Sequence, residues 1–456
     1  MTGPLPHRVL AFYGDDFTGS SAVMEVLTFA GVPTVMFLDP PDAATLECFG
    51  QYRAIGIAST SRARSPEWMD RHLPAAYAAL KALGAPVTHY KTCSTFDSSP
   101  SLGSIGRAIE HGRAAFEGRT VPLVTGAPAI GRYQMFGNLF AAYGGATHRL
   151  DRHPVMARHP ATPMDEADLG RHLAAQTDLS TGLVDLVALK AGRGAQAYAA
   201  AAKNAEIVSI DVFDEDTLAA AGEIVWAEAC RAPIFAAGSQ GVEYALIAHW
   251  QETGLLAPPP AERTVPAPER MMVVSGSVSP ITAAQIACAE AQGFAVVALE
   301  AAAAVDEAAW PEAVAAASAA AGAALSAGKV PLVATARGPD DPSVARFRTA
   351  LQATGADRTA VAERIGAGLG TIVRTLHGTA PLQRVILSGG DTSGYAVTEL
   401  GVYALSAEAP LAPGAPLCRT FAEDAAFDGL ELCMKGGQMG ADDFFVASTG
   451  RTHANM

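Results

Sequence analysis

Residues 384–401, RVILSGGDTSGYAVTELG, constrain the fold of this chain more than any other stretch. Val385 to Leu387 is a short apolar run. Ser388 to Gly394 is a loop of Gly, Ser, Thr and Asp, and a helical pattern begins at Tyr395 and stops at Gly401. A strand that passes through a glycine loop into a helix forms a cradle for anions, because loop N–H groups and the helix dipole point the same way. Gly389 and Gly390 let the backbone approach a ligand with no Cβ between. The same stretch also fits an ordinary strand-to-helix turn, since short motifs match by chance.

The pattern recurs. Met271 to Val274 is apolar, Ser275 to Pro280 is a small-residue loop, and Ile281 to Gln292 is helical. Arg8 to Tyr13, apolar on both faces, leads through Gly14-Asp15-Asp16-Phe17-Thr18-Gly19-Ser20 into a helix from Ala22 to Ala30 and a strand from Val32 to Leu38. Strand–loop–helix–strand order predicts α/β architecture, with ligands at the carboxyl ends of parallel strands. At 456 residues the chain exceeds what one core usually serves. Five prolines between Gly254 and Glu269 separate two such patterns. The expected organisation is two domains, each a mainly parallel sheet flanked by helices. They span residues 1–256 and 270–456, joined by a Pro-rich linker at 257–269, with the active site in the interdomain cleft.

Polar residues gather where strands end. Asp15 and Asp16 follow the first strand; one of them is expected to cap the next helix. Ser59-Thr60-Ser61-Arg62 follows Ala54 to Ala58, and the Arg62 fork suits a carboxylate or phosphate, although a lone Arg is more often solvated surface. Lys91-Thr92-Cys93-Ser94-Thr95-Phe96-Asp97-Ser98-Ser99 follows Val87 to Tyr90 and suits a polyhydroxylated small molecule, or merely caps a helix. Cys93 reads as a packing residue rather than a nucleophile, because no neighbouring His pattern would activate it. Near the C-terminus, Lys435-Gly436-Gly437 can set an ammonium beside backbone N–H groups, but GxxxxGK[ST] is absent. Ala301 to Ala327, dominated by the best helix former, reads as helix.

Charge and cysteine usage narrow the function. The net charge of −14 argues against a nucleic-acid surface, whose footprint is basic. Six scattered cysteines without C-x-x-C fit a reducing cytoplasm better than a disulfide or zinc framework. His148, His153 and His159 invite a metal, yet their spacing is not i, i+4 and prolines interrupt them. No apolar run has the density of a membrane span.

Eight of these segments, in order along nearly the whole chain, resemble the four-carbon acid sugar kinase family. They are DDFTGS from Asp15, Ser61–Arg62, the patch from Lys91, GRYQMFGNLF, the run through RHPATPM, SGSVSPITAAQ from Ser275, GGDTSG from Gly389 and KGGQMGADDFF from Lys435. The resemblance implies an ATP- and Mg²⁺-dependent enzyme with an N-terminal sugar domain and a C-terminal nucleotide domain. It implies that Ser277, Ser279, Gly389, Gly390, Asp391, Thr392, Ser393, Lys435, Gly436 and Gly437 serve ATP. Asp15, Asp16, Arg62, Lys91, Ser94, Thr95 and Asp97 lie on the sugar side. Asp16, or alternatively Asp15, would accept the proton of a primary hydroxyl, and either could instead contact Mg²⁺. No protein metal site, nucleic acid or membrane is implied; a homo-oligomer is open. The family's common patch reads Lys-x-Asp-Ser-Thr-x-Arg-Gly, whereas here Cys93 replaces the acid and Asp97 the arginine. That departure turns attention from straight 3-oxo-tetronate, erythronate or threonate to a branched acid such as 3-oxo-isoapionate. A sugar-acid lyase or isomerase and a non-catalytic binding protein are the alternatives.

Overall fold

The computed structural model describes residues 4–159, 161–259 and 266–450, the side chain of Asp391 excepted. It resolves into two compact units, Met1–Pro260 and Ala261–Met456. Residues 260–265 of the Pro-rich segment lie outside the described residues.

The strands of the first unit are β1 Leu10–Gly14, β2 Thr34–Phe37, β3 Ala54–Ala58, β4 Val87–Lys91, β5 Val121–Val124, β6 Arg132–Met135, β7 Asn138–Tyr143, β8 Ala146–Arg149, β9 Thr181–Val184, β10 Ile207–Ile210 and β11 Ile234–Gly238. Eight of them form a parallel sheet in the order β2-β3-β1-β4-β11-β5-β10-β9. β1, β3 and β4 are buried at every residue, which is why β1 and β3 read as continuous apolar runs rather than alternating ones; β4 instead buries the polar Thr88, His89 and Lys91. Their register decides what meets what. Gly14 pairs with Ala58 on one side and Lys91 on the other, Lys91 with Gly238, and Gly238 with Val124. Every loop that leaves a carboxyl end here is therefore a neighbour of the next.

Strands β6, β7 and β8 make a separate antiparallel sheet. Its first turn is fastened by Asp211, which accepts from Phe136 N at 2.6 Å, Gly137 N at 3.0 Å, Gln134 Nε2 at 3.2 Å and Leu186 N at 3.1 Å. Burial pushes the Asp211 carboxyl up, and those donors act against it.

The second unit contains β12 Met271–Ser275, β13 Ala295–Ala298, β14 Pro331–Ala334, β15 Arg384–Ser388, β16 Val402–Ala412, β17 Ala415–Ala422 and β18 Glu431–Lys435. The order β13-β14-β12-β15-β18 is parallel, and β18-β17-β16 continues antiparallel. Ser275, Ser388 and Lys435, the last residues of β12, β15 and β18, stand side by side.

Three element readings change. The helix expected from Ala22 begins at Phe17, because Asp16 caps it by accepting from Gly19 N. The helix expected from Tyr395 is Gly390–Glu399, so most of the supposed loop is its first turn. Helix N-terminal N–H groups need no intrahelical partner, so glycine's weak propensity costs little there. The single helix read over Ala301 to Ala327 is a 3₁₀ segment, Ala301–Val305, and then a helix, Trp310–Ser326. Among the described residues no helix is long and apolar enough to cross a membrane.

Candidate active site

At the carboxyl ends of β1, β3 and β4 the ionisable residues form one network. Arg62 donates from Nη2 to Asp15 Oδ1 at 2.8 Å and from Nε to Asp15 Oδ2 at 3.2 Å, and its Nη1 lies 3.0 Å from Asp16 Oδ2. Its fork thus holds the chain's own carboxylates rather than standing open. Asp15 also accepts from Cys93 N at 3.2 Å, which ties the β1 loop to the β4 loop. Asp16 accepts from Gly19 N at 2.8 Å and Thr18 Oγ1 at 2.9 Å. Lys91, 1% exposed, donates to Thr92 O at 2.7 Å. A Cβ on Gly19 would lie 2.3 Å from Asp16 Oδ1 and 2.8 Å from Lys91 Nζ, so a glycine is required where carboxylate and ammonium converge on the helix.

The two aspartates differ. Burial raises the Asp15 carboxyl, with Arg62 only partly opposing it and Asp16 adding to it. Burial also acts to raise Asp16, but Arg62, Lys91, Thr18 and Gly19 outweigh it and hold the group below the usual carboxylate value. The Asp15 side chain is 4% exposed and that of Asp16 18%, so the ionised carboxylate is also the one a ligand can reach.

In the second unit the three glycine-bearing loops touch. Ser279 caps the helix Pro280–Ala291 and its hydroxyl donates to Gly437 O; Thr282 Oγ1 donates to the same carbonyl at 3.1 Å. Ser277 Oγ is 2.9 Å from Thr282 Oγ1. Ser393 Oγ donates to Gly389 O. Gly389 has φ 133°, which side-chain-bearing residues rarely adopt, and a Cβ there would fall 2.3 Å from Thr392 Oγ1. Gly436 O accepts from Lys435 Nζ at 2.9 Å. The Lys435 ammonium is buried and lies 5.8 and 5.9 Å from the Phe444 and Phe445 ring centres; burial pushes it down to about 8. Gly390 opens its helix after an N-cap, Gly389, that has no side-chain cap, and the Asp391 side chain lies outside the described residues. Among the described residues the buried Ser388 Oγ has no partner. An orphaned hydroxyl and a cradle that a Cβ would fill suit a phosphate-bearing ligand.

Two residues were not singled out from sequence. Gln285, fully buried, donates from Nε2 to the carbonyls of Met439, Gly440 and Ala441 at 2.9, 3.2 and 2.9 Å, fixing the loop after Lys435. Arg132 on β6 donates to Ser94 Oγ at 3.2 Å. Both lie within motifs read from the sequence, but nothing in the motifs says where the side chains point. Two of the three histidines serve turns: His153 Nδ1 accepts from Val155 N and Met156 N, and His159 Nδ1 from Thr162 N, while His148 lies on β8 with its ring centre 5.8 Å from that of His153. Among the described residues no cluster of three metal-ligating side chains occurs.

Residues 10–246 match the model of a sugar-binding N-terminal domain, and residues 272–445 that of a nucleotide-binding C-terminal domain. The chain belongs to the four-carbon acid sugar kinase family. It is 47% identical to a 3-oxo-isoapionate kinase of Paraburkholderia graminis over 441 residues, 96% of this chain and 93% of that one. It is 31% identical to a 3-oxo-tetronate kinase of Cupriavidus necator, with 97% of each chain covered. A crystal structure from Salmonella typhimurium LT2 shares the fold, with a TM-score of 0.74, 24% identity, and coverage of 96% and 98%. Another, from Haemophilus influenzae, has a TM-score of 0.72, 23% identity, and coverage of 96% and 99%.

In this four-carbon acid sugar kinase the altered patch is internally satisfied. Asp97, 5% exposed, accepts from Thr95 Oγ1 at 2.6 Å, and Cys93 Sγ is 3.0 Å from the same hydroxyl. Burial acts to raise Asp97, but Arg62, Thr95 and Cys93 hold it low. Burial lifts the Cys93 thiol to about 11, so it stays protonated and is no nucleophile.

Proposed function

We propose that this chain phosphorylates a primary hydroxyl of a small 3-oxo sugar acid, with branched 3-oxo-isoapionate as the first candidate. That it is an ATP-using kinase follows from its family. The observation that carries the substrate reading is the 47% identity over 96% of the chain to a 3-oxo-isoapionate kinase, against 31% for the 3-oxo-tetronate kinase. The exchange of acid and arginine for Cys93 and Asp97 agrees with a changed acceptor.

The first unit supplies acceptor recognition. Asp16, ionised and reachable, takes the proton as the hydroxyl oxygen bonds to the γ-phosphorus and the bond to ADP breaks. A loose transition state asks for little basicity, so a low carboxylate suffices. Asp15 holds Arg62 across the two aspartates. Lys91, Ser94 and Thr95 face the sugar's oxygens. The second unit supplies the nucleotide's contacts: the N–H group of Gly390, the Cβ-free backbone of Gly389, whose own N–H is held by Lys435 O, hydroxyls of Ser277, Ser279, Thr392 and Ser393, and the Lys435-Gly436-Gly437 turn. Asp15 or Asp16 would contact the Mg²⁺ of the nucleotide, whose charge would offset that of the phosphates.

A coupled ADP-release assay over 3-oxo-isoapionate, 3-oxo-tetronate, erythronate and threonate tests this. Highest kcat/KM on the branched 3-oxo acid is expected. Preference for a straight acid, or no acid-dependent ADP release, overturns it.

A further inference from the structure

The sugar-side network contains an imbalance. Asp15, Asp16 and Asp97 are three acids, and Arg62 and Lys91 are two bases already turned on them or on the backbone. In such a set acids outnumber bases and no cation is left over for an acidic substrate. The arginine that the family places in the patch is the acid Asp97 here.

Arg132 supplies the missing charge. It reaches the patch from β6, a strand of the separate antiparallel sheet, and its Nε donates to Ser94 Oγ at 3.2 Å. Nη1 donates to the carbonyls of Ile130 and Gly131 at 3.2 and 3.3 Å, and both bonds steer the guanidinium without neutralising it. Among the described residues no carboxylate pairs with Arg132, and Nη2 donates to none of them. A half-buried guanidinium held in place by neutral oxygens has lost water and gained no counter-ion. Burial accordingly lowers its affinity for its proton. An anionic ligand is what would complete it, since a planar fork matches a carboxylate.

We infer that Arg132 reads the carboxylate of the substrate, with Ser94 as its positioning partner, in place of the arginine lost from the Lys91–Ser98 patch. This rests on the sugar-acid reading above but places the specificity on a residue of the β6–β7 hairpin. Asp97 then excludes a second anion from the site, and the carboxylate is oriented from the hairpin side. The consequence is a preference for acids over their neutral amides that depends on one side chain.

Equilibrium binding separates this from catalysis. Calorimetry with isoapionate, the stable reduced form of the candidate substrate, and with its carboxamide is run on the full chain and on Arg132→Met and Arg132→Lys, with ADP binding and melting temperature as controls. The expected result is that the native chain binds the acid about 30-fold better than the amide, on the scale of one charge-assisted contact. Arg132→Met should bind both alike, Arg132→Lys should recover part of the preference, and ADP binding should be unchanged. A native chain that does not prefer the acid, or an Arg132→Met variant that keeps the preference, overturns the inference. If the native chain releases no ADP with any 3-oxo acid yet binds isoapionate in an Arg132-dependent way, the kinase substrate reading fails and this one stands.

Discussion

The two units present similar strand ends and opposite chemistry. At the ends of β1, β3 and β4 the loops gather ionisable side chains: two aspartates, an arginine across them and a buried lysine. At the ends of β12, β15 and β18 the loops instead gather hydroxyls and glycines, with Lys435 the one cation there among the described residues. The difference fits the ligands proposed for the two units. A phosphate chain presents many equivalent oxygens and is met by a helix N-terminus and loop amides. A small acid offers few groups, and a proton must leave it, so each contact needs a side chain of fixed charge.

The sharpest way to break this comparison is at Asp16. Asp16→Asn should lower kcat by about 10³-fold with the ATP KM unchanged, the scale of general-base loss. Asp15→Asn should cost less, because it loosens Arg62 rather than removing the base. Steady-state kinetics of both decide, and near-normal turnover in Asp16→Asn with loss in Asp15→Asn reverses the roles. The counterpart in the second unit is Gly389→Ala. A Cβ 2.3 Å from Thr392 Oγ1 at φ 133° should raise the ATP KM by about 30-fold, as a strained or displaced loop costs about 2 kcal/mol. Acid binding should stay as it was, and a change in acid affinity equal to that in ATP would merge the two sites.

A smaller effect concerns Lys435. Burial lowers it to about 8, whereas an unfolded lysine titrates near 10.4. The folded state therefore binds fewer protons between those values, and this group's contribution to stability rises with pH from about 8 to about 10.4 and is lost as pH falls through 8. The stability of the native chain relative to Lys435→Met should climb over that window in urea melts; a flat difference means the ammonium is solvated. The smallest effect is at Asp97. Asp97→Asn should change the ratio of kcat/KM for branched and straight 3-oxo acids by less than about tenfold, because one hydrogen bond to Thr95 survives the exchange.

Much of the site was legible in the sequence because polar residues after short apolar runs can only be loops at strand ends. Asp15, Asp16, Arg62 and Lys91 do come together, since β3, β1 and β4 are adjacent and in register. The β6–β7–β8 sheet and the β16–β17 hairpin were not legible. Their strands alternate weakly, with β6 and β7 half-buried or exposed at several positions, so neither a continuous apolar run nor a clean period of two marks them. Arg132 and Gln285 were hidden for the same reason: a motif gives a residue's place in the chain, while its partner is set by pairing between distant segments.

What the sequence alone determined is the kind of unit: apolar runs, small-residue loops and helical patterns permit little besides parallel α/β sheets, and glycines at loop positions mark where a ligand approaches. Tertiary structure decided which charges face one another. It turned the Arg62 fork onto Asp15 and Asp16, made Asp16 both helix cap and ionised carboxylate, buried Lys435 against two phenylalanines, and left Arg132 without an acid among the described residues. Local pattern is a matter of backbone geometry and solvation, which neighbours in sequence set. The electrostatics of a site depends on distances between strands, which only their order and register fix.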